Sequence, residues 1–187
     1  MTRIPRTFLG KILARFAREQ RGAAAAEFAL ILTLATVPLL NVLDLGTYVW
    51  SKMQLDHAAQ AAAQAAWVTC DTTAKVPATP NSYANCSALP AAITAAAQAT
   101  SLGTAVTVTA ITEGYYCVNT STNALVTVGT FPGTKPADCS SIGSANDAPG
   151  DYIRVTTSYS YTPIISGVSV VSLLAMPITR EAWMRLQ

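Results

Sequence analysis

Histidine occurs once, at His57, and no two of the four cysteines are spaced as a CxxC pair. These absences exclude the usual zinc sites and thioredoxin-like redox chemistry. A Ser-His-Asp arrangement would have to use His57, and no nucleophile-elbow motif accompanies it. No Walker or GxGxxG sequence is present, so any ATPase that serves this chain is a separate protein. Charged side chains make up only 12% of residues, which leaves little for an acid–base site. Glu113, Asp138, Asp147 and Asp151 read as single exposed acids in loops or turns, and Asn146-Asp147 with Asp151 does not match the spacing of a calcium loop. No catalytic residue, metal ligand or cofactor is expected.

What charge there is lies unevenly. From Phe28 to Leu43 there is none. Extended through the alanines to Ala23 and onward to Trp50, this run exceeds the ~20 residues needed to cross a ~30 Å hydrocarbon layer. It predicts a transmembrane helix, in which Pro38 is tolerable. The run is too long for a secretory h-region, and no small-x-small cleavage site follows it. Arg3, Arg6, Lys11, Arg15, Arg18 and Arg21 precede it against Glu19 alone. The positive-inside rule therefore expects a single pass through the inner membrane, N-terminus cytoplasmic and C-terminal domain outside. The net charge of +2 reports topology, not nucleic-acid binding.

Glu27 is the anomaly at the mouth of this helix, since a carboxylate in an apolar span costs up to ~3 kcal/mol. A first-turn position on the helix dipole is one account of it. A second account uses its neighbours. Gly22 fits a narrow protease subsite and permits an extended backbone. Cleavage between Gly22 and Ala23 would create an amine five residues from Glu27, and Glu27 of one subunit could pair with the amine of another.

Gly22-Ala23-Ala24-Ala25-Ala26-Glu27-Phe28 resembles the type IV prepilin cleavage motif: Gly, four residues, Glu, then Phe or Tyr. The longer stretch through Asp44-Leu45-Gly46, Tyr48 and Gln54-Leu55-Asp56-His57-Ala58-Ala59 resembles the TadE/TadG-like family of pseudopilins in tight-adherence (Flp) pilus systems. The resemblance is strong over 21–67 and weaker at Asp151–Val155, Tyr161-x-Pro163 and Met184-Arg185; it is absent between 70 and 150. It implies cleavage by a prepilin peptidase after Gly22, assembly roles for Glu27 and Phe28, and partners in the membrane, the pilin and pseudopilin subunits, the peptidase and the assembly machinery, with possible entry into the pilus itself. The competing expectation is an uncleaved, membrane-anchored adhesin or scaffold that contacts a partner through loop 131–150.

The rest reads as a basic leader (1–22), a transmembrane helix with an outer extension (23–67) and an outer domain (68–187). The alanine-rich stretch after Tyr48 has high helix propensity and small side chains, suited to packing on its own domain or on another subunit. Residues 71–90 read as a loop and Ala88–Ser101 as a helix with Pro90 in its first turn. Strands are expected at Ala105–Ile111, Tyr115–Val118 after a turn at Thr112-Glu113-Gly114, Ala124–Thr130, Tyr152–Tyr161 and within Ile178–Leu186, with a long loop at 131–150. The fold class is α+β: a long helix laid on a small antiparallel sheet. Tyr115, Tyr116, Tyr152, Tyr159 and Tyr161 are candidates for a shared binding face, although strand tyrosines more often pack across strands.

Cys70, Cys86, Cys117 and Cys139 all fall on the outer side, and an even count there reads as two structural disulfides. Three pairings are open; modest loop length favours Cys70–Cys86 with Cys117–Cys139.

Overall fold

The computed structural model describes residues 20–144, 146–165, 167–174 and 176–187. The leader cations Arg3, Arg6, Lys11, Arg15 and Arg18 lie outside the described residues.

One helix, Gln20–Thr69, runs unbroken for 50 residues, about 75 Å at 1.5 Å per residue. It is long and apolar enough to cross a membrane. Its polar side chains in the apolar stretch turn back on their own backbone. Thr33, Thr36 and Asn41 donate to the carbonyls of Ala29, Leu32 and Val37, which hides those donors where water is scarce. Pro38 lies within the helix without ending it.

The two halves of this helix differ. Phe28, Leu30, Ile31, Leu34 and Leu39 stand clear of the fold. Further on, Tyr48, Ser51, Leu55, Ala58, Ala59, Ala62, Ala63 and Ala66 are buried. That three- and four-residue spacing marks one face. The alanines therefore serve the chain's own packing, against the sheet and the helix Leu89–Gln98.

The sheet has four antiparallel strands in the order β2-β1-β3-β4: β1 Val106–Asn119, β2 Ala124–Thr127, β3 Gly150–Tyr159 and β4 Ile178–Arg185. Ile153, Val155 and Thr157 on β3 are buried, as the alternation predicts. The architecture is α+β.

One expectation is corrected. Thr112-Glu113-Gly114 does not turn the chain; β1 passes straight through it, paired with β3 from Val106↔Tyr159 to Tyr116↔Gly150, with one irregularity between Val108 and Ala110. Gly114 is there for room: a Cβ on it would stand 2.9 Å from the Tyr116 ring. Glu113 accepts hydrogen bonds from the amides of Ala78 and Thr79 at 2.6–2.8 Å, holding the loop that follows the long helix.

The disulfides are Cys70–Cys86, just past the end of the long helix, and Cys117–Cys139, in a smaller core with Tyr115 and Val128. The second closes a separation of 22 residues. Replacing both Cys117 and Cys139 by Ser is expected to lower stability by about 2–4 kcal/mol, read from urea unfolding of the full chain in detergent.

Candidate assembly site

Gly22 and Ala23 lie within the long helix, exposed. A Cβ placed on Gly22 meets nothing within 4 Å. Glu27 is exposed on the same helix, and Phe28 is 65% exposed. Five residues of helix separate Gly22 from Glu27 by about 7.5 Å along the axis. The motif is thus presented bare on an apolar rod.

Where that rod meets the folded domain, Asp44 is fully buried. Its Oδ1 accepts from Tyr161 Oη at 2.6 Å and from the Ile164 amide at 3.0 Å, and its Oδ2 accepts from Ser169 Oγ. One turn earlier, Asn41 Oδ1 accepts from the Val170 amide at 2.8 Å. The Tyr161 ring meets Tyr48 edge-on at 5.5 Å. Asp44 and Asn41 together tie the β3–β4 connection to the helix. The only signal in the sequence was an acid closing an apolar run; its partners are far along the chain.

Residues 22–64 match the family model described as TadE-like protein. Over this stretch the chain is similar to TadE-like proteins. The family is linked to tight-adherence pilus systems. No curated protein and no solved structure matches the chain. The TadE-like stretch takes in the Gly22–Phe28 motif, the exposed apolar half of the helix, Asp44 and most of the alanine face.

Several other expected sites fall differently. The five tyrosines do not share one face. Tyr115 is buried against Phe131, and Tyr161 is half-buried against the helix. Tyr116 and Tyr152 lie with Trp183 on the outer sheet surface, with the Arg154 guanidinium 5.3 Å from the centre of the Trp183 ring. His57 is exposed on the long helix. Among the described residues no three His, Cys, Asp or Glu are grouped to hold a metal ion.

Nor are Glu113 and Asp151 exposed loop acids. Both are strand residues, and Asp151 is only 2% exposed. Burial, then the neighbouring Glu113 carboxylate, push the Asp151 carboxyl up to about 7, against a weaker opposing pull from Lys135. The folded chain therefore holds a proton that the unfolded chain releases from near pH 4 upward. Stability from this group is complete below that pH and falls as pH rises to about 7. Melting at a series of pH values should show that decline, and Asp151→Asn should flatten it.

Proposed function

We propose that this chain is a pseudopilin or minor pilin that supports biogenesis of a tight-adherence pilus, and that a prepilin peptidase cuts it between Gly22 and Ala23. The observation that carries this reading is the TadE-like match, which begins at the Gly22 of the Gly-x4-Glu motif. The bare presentation of that motif supports it. So does an apolar stripe at helical spacing along the far half of the expected span, ending just past Trp50. Val42, Leu45, Val49 and Met53 are all exposed, a surface suited to neighbouring pilin helices.

In this reading the basic leader holds the N-terminus in the cytoplasm until cleavage. Glu27 then pairs with the new amine of a neighbouring subunit, which neutralises both charges in an apolar setting and fixes the register of the helices. Phe28 packs beside it. The outer domain stays on the far side of the inner membrane.

The test is the intact mass and N-terminus of the protein made with and without a prepilin peptidase. Loss of residues 1–22 only with the peptidase supports the reading. An intact leader in both removes the mechanism and favours a permanently anchored scaffold.

A further inference from the structure

The connection between β3 and β4 carries the most exposed apolar group in the outer domain. Ile164, Val168, Val170, Leu173, Leu174 and Met176 all face outward, Leu173 at 85% exposure. No charged residue occurs between Arg154 and Arg180. An exposed patch of this kind marks an interaction surface.

Its position indicates the partner. The Ile164 amide binds Asp44, and the Val170 amide binds Asn41. Those helix residues are 17 and 14 positions beyond Glu27, about 26 and 21 Å along the axis. A hydrocarbon layer is ~30 Å thick. With Glu27 at the headgroups of one side, the connection sits at the depth of the opposite leaflet, continuous with the lipid-facing surface of the helix. Trp50, half-exposed two turns further on, then falls where interfacial aromatics gather.

We propose that Ile164, Val168, Val170, Leu173, Leu174 and Met176 dip into the domain-side leaflet, so that the outer domain rests on the bilayer through a second contact besides the long helix. This rests on the helix being a membrane anchor. It also accounts for the Asp44 cluster: near lipid, a carboxylate needs donors on the protein side, and Tyr161, Ser169 and Ile164 supply them.

The chain has no free cysteine, so single nitroxide labels can be placed through Leu173→Cys, Val168→Cys, Leu34→Cys and Asn123→Cys. Full-length protein in phosphatidylethanolamine–phosphatidylglycerol nanodiscs is read for collision with oxygen and with a water-soluble nickel chelate. The expected result is an oxygen-to-nickel ratio several-fold higher at 34, 168 and 173 than at Asn123, which sits in the exposed β1–β2 turn. A high ratio at 34 with aqueous values at 168 and 173 overturns the proposal and leaves the anchor intact. Aqueous values at 34 as well remove the anchor and the proposal together. Labels at 168 and 173 reached by neither agent mean that protein, such as a second copy, covers the patch, and this also overturns it.

Discussion

Gly22→Arg will keep residues 1–22 on the chain in the presence of a prepilin peptidase, while Gly22→Ala will slow their removal without stopping it. Both expectations follow from the site's geometry. Gly22 has open space where a Cβ would go, so neither change disturbs packing and a lost cut is not misfolding. Yet the bond proposed to be cut lies inside a helix, and a protease takes an extended backbone. The helix has to open locally first. Glycine makes that opening easier by roughly 0.5–1 kcal/mol relative to alanine. Where opening limits the rate, Gly22→Ala slows cutting by up to about 5-fold. Arg adds bulk and charge that a small subsite cannot take. Mass spectrometry over a time course separates the two, and equal cutting of both variants would rule Gly22 out as the recognised residue.

The second large effect is at Asp44. Asp44→Ala removes the acceptor for Tyr161, Ser169 and the Ile164 amide at once. Buried donors left without partners are costly. The folded domain in detergent should melt roughly 10 °C lower, and the β3–β4 connection should become the first site of limited proteolysis. Asp44→Asn keeps one acceptor and should fall between. Asp71→Ala is the control, because the Asp71–Lys75 pair is exposed and such pairs contribute little; its melting temperature should not move. An unchanged melt for Asp44→Ala would mean that the connection is held by its apolar contacts alone.

Much of the fold was legible because the sequence repeats at the period of its structure. The charge-free run became the bare half of the helix, and the alternation at 153–157 became β3. Thr112-Glu113-Gly114 was misread because glycine beside polar residues signals a turn. Here Gly114 makes room for Tyr116, and the amides bound by Glu113 lie 34 and 35 positions away. Asp44 was hidden for the same reason, with side-chain and amide partners 117 to 125 positions along the chain. Asp151 looked like one more loop acid, since alternation does not reveal a carboxyl on a buried strand face. The charge-free connection at 164–176 has no period at all, and its place beside the helix comes only from tertiary structure.

The long helix is fastened to its domain at three heights: Asp44 near one end of the contact, Asp56 to Arg180 at 2.8 Å partway up, and Cys70 to Cys86 at the top. The domain therefore cannot swivel about the helix. If the apolar half seats among neighbouring helices as proposed, a single-residue slip in that seating corresponds to a turn of about 100°. That turn would swing the whole outer surface, Trp183 and Arg154 included, to a new compass bearing. In the proposed assembly the bearing of the domain would thus be a dial that reads the seating of the helix.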